Sequence, residues 1–339
     1  MGGKQGTGQA RLRRVVVAVT LLLAAPALSQ DVRYLSVGTG PPGENHFPLG
    51  GAIVGAISSP PGLPPCGRGS NCGVPGLIAV ASATAGSVAD VDAIGEGRMD
   101  AALVQADIPV LAAAGLPPFA GRPIRNVRAV ADLYVDQLHL VVLRDGPIRA
   151  LRDLRGKRVS LGEIGSGTLV HARLLLAALG LKESDIKADN LRSEVAADAM
   201  LAGGLDAFFV LDGPPVPSVA ELARNRRIRL IPIAGPAADR LRSTDPLLTA
   251  GRITAGLYDG VTDDVPTVAI GVTLVVSAAL PDDLVYGITK ALWQPGTVRM
   301  LADRPPGGVT LTIGQELAGQ GVPLHPGARR FYTESGIAN

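Results

Sequence analysis

Val159-Ser160-Leu161-Gly162-Glu163-Ile164-Gly165-Ser166-Gly167-Thr168 reads as a short alternating strand that breaks into a glycine-rich turn and opens a helix, Leu169 to Leu179. A second copy of the phrase stands earlier: Leu35-Ser36-Val37-Gly38 runs into the Gly/Pro turn Thr39 to Gly43. Each copy has the same sequel. Gly97-Arg98-Met99-Asp100-Ala101 leads into Ala102-Leu103-Val104-Gln105, and Gly204-Leu205-Asp206-Ala207 leads into Phe208-Phe209-Val210-Leu211. Both Asp-Ala pairs follow a helical pattern, Val88 to Glu96 and Glu194 to Leu201. Gly38 lies 62 positions before Asp100 and Gly162 lies 44 before Asp206, so the first copy is longer by 18. The stretch Ser58 to Gly76 accounts for nearly all of that excess and reads as an insertion at the edge of one lobe.

Strands alternating with amphipathic helices predict mostly parallel sheets, and a repeated strand-helix unit predicts an α/β protein of two similar lobes. The apolar segments Tyr134 to Leu143 and Thr267 to Val276 are placed to cross between them. On that basis lobe I takes 31–137 and 271–339, and lobe II takes 138–270. Ligands in such folds sit against the carboxyl ends of strands and the first turns of helices.

The N-terminus points to export. Lys4, Arg11, Arg13 and Arg14 precede an apolar core, Val15 to Ala25, and the small-residue segment Ala27-Leu28-Ser29. Residues 1–29 are expected to form a signal peptide cleaved near residue 29 for delivery to the periplasm. The core is too short for a spanning helix, which needs about 20 residues. A net charge of +2 with interspersed signs gives no footprint for nucleic acid. Cys66 and Cys72, in the Pro/Gly-rich insertion, are expected to form a local disulfide in an oxidising compartment.

The candidate binding residues follow from strand ends and helix starts. In Gly165-Ser166-Gly167-Thr168 two hydroxyls and two glycines lie where amide N–H groups and the helix dipole attract an anion, although Ser166 or Thr168 could simply cap the helix. The first-lobe counterpart is Thr84-Ala85-Gly86-Ser87. Gln105 and Asp107 end one buried strand, and Asp212 ends the other. Asp107 could instead cap the next segment, and Asp212 could serve the turn at Gly213-Pro214-Pro215. Of the adjacent Phe208 and Phe209, opposite facing predicts one in the core and one, Phe208, as an apolar wall of the cleft. No Lys follows the glycine turn as in a nucleotide-binding loop, and the spacing is not that of a dinucleotide site. The four histidines are scattered, so neither a metal nor a cofactor is expected. Ser166 lies outside a nucleophile elbow because Ile164 stands two before it, which argues against an enzyme.

In this order and spacing, several short phrases resemble the TAXI family, the extracytoplasmic solute receptors of TRAP-type transporters. They are Ser36-Val37-Gly38-Thr39-Gly40, Gly86-Ser87-Val88, Val104-Gln105-Ala106-Asp107, Gly165-Ser166-Gly167-Thr168, Asp206-Ala207-Phe208-Phe209 and Val322-Pro323-Leu324-His325-Pro326-Gly327-Ala328. The resemblance implies a type II periplasmic binding fold, a small carboxylate ligand such as glutamate or 2-oxoglutarate, and a TRAP-type permease as partner. It places Thr39, Ser87, Gln105, Ser166, Gly167 and Thr168 in the cleft. One departure stands out: the family has two tyrosines before a proline where this chain has His46-Phe47 before Pro48. A His46 facing the cleft would make binding depend on pH near neutrality. A monomeric transport receptor is the expected function. The alternatives are a sensory module for a membrane kinase and an exported serine hydrolase built on Ser166.

Overall fold

The repeat in the sequence is a repeat in space. The computed structural model describes Gly2 and residues 32–62, 72–303 and 321–336, and those from Val32 onward belong to one compact unit. The first copy contains β1 (Arg33–Gly38), α1 (His46–Ile57), the small strands β2 (Ser58–Ser59) and β3 (Val74–Pro75), β4 (Leu77–Ser82), α2 (Ser87–Gly95), β5 (Ala101–Gln105) and α3 (Ile108–Ala114). The long strand β6 (Val127–Leu143) leads to the second copy: β7 (Arg158–Ser160), α4 (Gly167–Ala178), β8 (Lys187–Asp189), α5 (Ser193–Leu201) and β9 (Ala207–Asp212). Then come α6 (Pro217–Asn225), β10 (Ile228–Leu230), α7 (Pro236–Thr244), β11 (Thr249–Ile253) and the second long strand β12 (Val265–Ser277). Helices α8 (Asp282–Leu292), α9 (Pro295–Ala302) and α10 (Pro326–Glu334) close the described chain.

One sheet runs β4-β1-β5-β12-β6-β9-β7-β8. The order is nearly palindromic. In one half β1 lies between β4 and β5, and in the other β7 lies between β8 and β9, all parallel. The middle is formed by β12 and β6, antiparallel to each other and to their outer neighbours β5 and β9. The two segments expected to cross between lobes fall within β6 and β12. This is the two-lobed type II arrangement.

The halves align two residues away from where the alternating pattern put them. Val37 pairs with Ala101 and Val159 pairs with Ala207. The same carboxylate device sits beside each pair. Asp100 accepts the Ser36 N–H and hydroxyl, each at 2.8 Å. Asp206 accepts the Arg158 N–H at 2.9 Å and two guanidinium bonds at 3.2 and 2.6 Å. Ser36 therefore corresponds to Arg158, and Gly40 to Gly162. A shift of two keeps every side chain on its own face, so alternation cannot detect it. These pairs are 64 and 48 positions apart, an excess of 16 in the first copy. The excess lies between α1 and β4, at β2, β3 and the residues between them. Cys66, and with it the expected Cys66–Cys72 bridge, lies outside the described residues, as does the leader at 1–29 apart from Gly2.

Helix burial follows sequence periodicity. In α1, Leu49, Ala52, Ile53, Val54 and Ile57 pack onto a core shared with Leu35, Val37, Leu103, Val130 and Leu274. In α4, Leu169, Ala172, Leu175 and Leu176 pack against Leu140, Val159, Leu161 and Phe209. The C-terminal stretch returns to the first half. Ala129 bridges to Leu324 by donating its N–H to the Pro323 carbonyl and accepting the His325 N–H, and the Tyr332 hydroxyl donates to the Val130 carbonyl at 2.8 Å. Among the described residues no helix is long and apolar enough to cross a membrane.

Removing the Asp100 carboxylate leaves two partly buried donors of Ser36 unpaired, each such loss costing about 1–3 kcal/mol. Asp100→Ala should lower the unfolding free energy by about that amount in urea titration. A change under about 0.5 kcal/mol, the range of ordinary surface substitutions, would contradict the structural role assigned to this repeated aspartate.

Candidate functional site

The strand ends and helix starts of both halves meet in one buried seam. The Ala89 N–H donates to the Gly165 carbonyl at 3.0 Å, and the Ser218 N–H to Gly43 at 3.3 Å. Gly86, at φ +117°, lies so close that a Cβ there would stand 3.2 Å from the Ser166 Cα. A Cβ on Gly167 would collide with the Gln105 amide oxygen. Gly86 needs glycine for its positive φ, and a side chain at Gly167 would displace the Gln105 amide. Helix α2 and helix α4 thus start against each other across the seam.

A polar chain runs along it. The Ser87 hydroxyl donates to the Gln105 Oε1 and accepts the Gln105 N–H at 3.2 Å. The Gln105 Nε2–H donates to Asp136 Oδ2 at 2.7 Å. Nε2 of His46, on the first residue of α1, reaches the same oxygen at 2.9 Å. Asp212 Oδ1 lies 3.9 Å from that nitrogen. Asp212 is held by backbone donors: the Asn45 N–H at 2.7 Å and the Gly213 N–H at 2.8 Å. Tyr134 packs edge-on to His46, with ring centroids 5.7 Å apart, and its hydroxyl has no hydrogen-bond partner.

Charge in this seam is displaced from its ordinary behaviour. Burial would lower the His46 pKa, but Asp136 beside it outweighs burial, and the group is raised from 6.5 to about 9. Burial, with Asp136 next, raises Asp212 from 3.8 to about 7. Burial also pushes Glu44 well above its usual value, with Asp212 adding to the effect. Asp90, fully buried in the first turn of α2, is raised by burial to about 7. His46 therefore does not titrate near neutrality as its position suggested; the ion pair with Asp136 moves its titration upward.

A second cluster lies at the other end of the seam. Asp107, just after β5, faces His171 on α4, with Oδ2 and Nε2 3.3 Å apart. Nδ1 of that ring donates to the Gly167 carbonyl at 2.8 Å. Asp245, following α7, completes a group whose ligand-type atoms all lie within 4.8 Å. His46, Asp136 and Asp212 form a comparable triad, but there every residue is already engaged by a hydrogen bond. The sequence separations in both triads explain why no metal-ligand spacing is visible along the chain.

The sequence-derived candidates separate into three groups. Ser87, Gln105, His46, Asp107, Gly167 and Asp212 come together at the seam. Thr39, Ser166 and Thr168 are close by, yet their hydroxyls serve the scaffold. Thr39 donates to the Ser82 carbonyl at 2.9 Å, and Thr168 accepts the Leu211 N–H at 3.1 Å. Ser166 caps α4 by accepting the Leu169 N–H and donates to the Glu163 carbonyl. No hydrogen bond joins Ser166 to a histidine among the described residues. Phe208 corrects an expectation. It is fully buried with Val141, Met200, Val210 and Val219, while Phe209 is buried on the other face. Strand β9 is covered by helices on both faces, so neither ring reaches a cleft. Asp136, Asn45 and Tyr134 were not among the candidates. The available signal was an acid inside the apolar run Val130 to Val142, where a charge is costly unless paired.

A family model described as "NMT1-like family" matches residues 37–336. The chain belongs to the NMT1-like family. Solved structures similar to this NMT1-like protein include one described as a periplasmic transporter, at 15% identity and TM-score 0.53, covering 90% of this chain and 98% of that one. MatC from Rhodopseudomonas palustris with bound malate aligns at 16% identity and TM-score 0.52, with the same coverage. The alkanesulfonate-binding protein SsuA from Xanthomonas axonopodis pv. citri, bound to MOPS, aligns at 18% identity and TM-score 0.44, covering 81% and 80%. At these identities the likeness is one of fold.

The raised groups set a pH dependence for this NMT1-like protein. His46, raised from 6.5 to about 9, contributes stability that is fully present below 6.5 and lost as pH rises through 9. Asp212, raised from 3.8 to about 7, contributes stability lost as pH rises through 7. His139 works oppositely: burial lowers it to about 4, so its contribution is lost as pH falls. The urea midpoint should therefore decline between pH 6.5 and 9, and His46→Gln should flatten that decline. A midpoint that stays level or rises across this window would contradict the assignment.

Proposed function

We propose that the protein is an exported solute receptor of the TAXI type that captures a small molecule between its lobes and delivers it to a TRAP-type permease. On this proposal residues 1–29 direct it to the periplasm, lobe I comprises 31–137 and 271–339, and lobe II comprises 138–270. The observation that supports it is the seam itself. Ser87, Gln105, His46 and Asp136 meet Asp212, Ser166 and Gly167 where two helix starts converge, and the opposed groups are held by few direct bonds. No covalent chemistry is needed, only donors and acceptors that a ligand can bridge when the lobes close.

The charge of the seam narrows the ligand. Glu44, Asp90, Asp136 and Asp212 cluster around one cation, His46. Buried carboxyl groups in excess of cations favour a ligand that brings positive charge. The positive dipole ends of α2 and α4 favour a carboxylate at the other end. An α-amino acid of the glutamate type meets both demands. A 2-oxo acid lacks the ammonium group that Asp136 and Asp212 would pair.

The test is mass spectrometry of whatever small molecule the purified protein releases, followed by calorimetric titration with that compound. An ammonium-bearing carboxylate should be recovered, and Asp136→Asn should weaken its binding by about tenfold or more, equivalent to about 1.4 kcal/mol. Recovery of a ligand without a cationic group would contradict the charge argument. Turnover of the bound compound would contradict the receptor function.

A further inference from the structure

We propose that Asp107, His171 and Asp245 form a binding site for a divalent first-row transition-metal ion that ties the two halves of the seam together. The inference is independent of which solute the receptor carries. Asp107 belongs to the half built on β5, whereas His171 and Asp245 belong to the half built on β9, the first in the opening turns of α4 and the second just past the end of α7.

Three buried atoms in this cluster lack hydrogen bonds. Both Asp107 oxygens and His171 Nε2 have none, although Asp107 is only 2% exposed and His171 is 0% exposed. A buried carboxyl group without partners is costly, so the cluster is incomplete as it stands. An ordinary His–Asp ion pair would aim the ring N–H at a carboxylate oxygen in hydrogen-bond geometry. Here the two groups form an ion pair at 3.3 Å without hydrogen-bond geometry, and Oδ1 has no hydrogen-bond partner. The same separation suits a shared ion. Two donors each about 2.1 Å from a tetrahedral centre lie about 3.4 Å apart.

The ring is oriented as a ligand. Because Nδ1 donates to the Gly167 carbonyl at 2.8 Å, Nε2 is the ring nitrogen that faces Asp107, and a metal ion binding there would displace its proton. A backbone carbonyl on the far nitrogen is the usual device for fixing a metal-bound imidazole. Asp245 is steadied in turn, its Oδ1 accepting the Leu247 N–H at 2.9 Å. One imidazole nitrogen with two carboxylates suits Zn²⁺ or Mn²⁺ better than Ca²⁺ or Mg²⁺, which favour all-oxygen shells. Three protein donors leave a further position open to water or to a ligand oxygen. His46, Asp136 and Asp212 are the less suitable triad, since His46 Nε2, Asp136 Oδ2 and both Asp212 oxygens already bond one another, the Gln105 amide or backbone N–H groups, leaving only Asp136 Oδ1 without a hydrogen bond.

The test uses the full chain stripped of metal with a chelator and titrated with Zn²⁺ alone by calorimetry, with Co²⁺ absorption as a second readout. One Zn²⁺ per chain should bind, and Co²⁺ should give visible ligand-field bands. Asp107→Asn and His171→Gln should each weaken Zn²⁺ binding by about 10- to 100-fold and abolish the bands. If either buried variant fails to fold, Asp245→Asn, at a half-buried position, gives the same comparison. Asp136→Asn should leave Zn²⁺ binding unchanged. Absence of binding, binding insensitive to all three ligand variants, or binding lost in Asp136→Asn instead would each overturn the proposal.

Discussion

The carboxyl group of Asp136 is buried at the midpoint of β6, one of the two strands shared by both halves of the sheet. A charge in that position is tolerated only if donors reach it from the surrounding elements. His46 supplies one from the start of α1, and Gln105 supplies another from the end of β5. Gln105 is in turn fixed by Ser87 at the start of α2. One buried acid thus gathers the first turns of two helices and the end of a third element onto a single point. The opposite half answers with Asp212, whose carboxyl group takes the Asn45 N–H from the loop that leads into α1. The site is therefore a consequence of how the crossing strand is neutralised.

Around that point the two copies behave as one design used twice. Asp100 and Asp206 each clamp the N–H of the residue that precedes the first pairing valine, and each stands immediately before the alanine that starts a strand. The copies differ where function needs them to differ. In the first, His46 and Asn45 follow the glycine turn; in the second, Ser166 and Gly167 do, and the small residues let Gln105 approach. The seam is asymmetric in chemistry although its frame is nearly symmetric.

Much of this was legible in the chain. The internal repeat, the crossing segments, the insertion between α1 and β4 and the two helix starts all follow from periodicity and spacing. Register did not, because a two-residue slide leaves alternation intact. Phe208 and Phe209 misled because facing tells which sides of a strand are used, not that helices cover both. Ser166 has a caps-or-binds ambiguity that only its partners resolve; the Leu169 N–H takes the hydroxyl. Asp136 escaped because its meaning depends on residues 31 and 90 positions away. Asp107 was a candidate from its place at a strand end, but its partner His171 escaped for the same reason, being joined to it only when α4 packs across the seam.

In a receptor that closes on its solute, the seam opens as a unit while each half stays folded. Amide hydrogen exchange of the residues that bond across it reads this directly. The Ala89, Asn45 and Ser218 amides cross to Gly165, Asp212 and Gly43. They should exchange together, through an opening that costs less than global unfolding, while strand amides such as Leu103 and Val210 stay protected to the global limit. Exchange of the three crossing amides only at the rate of global unfolding would show a single rigid body, and the account of a closing receptor would fail.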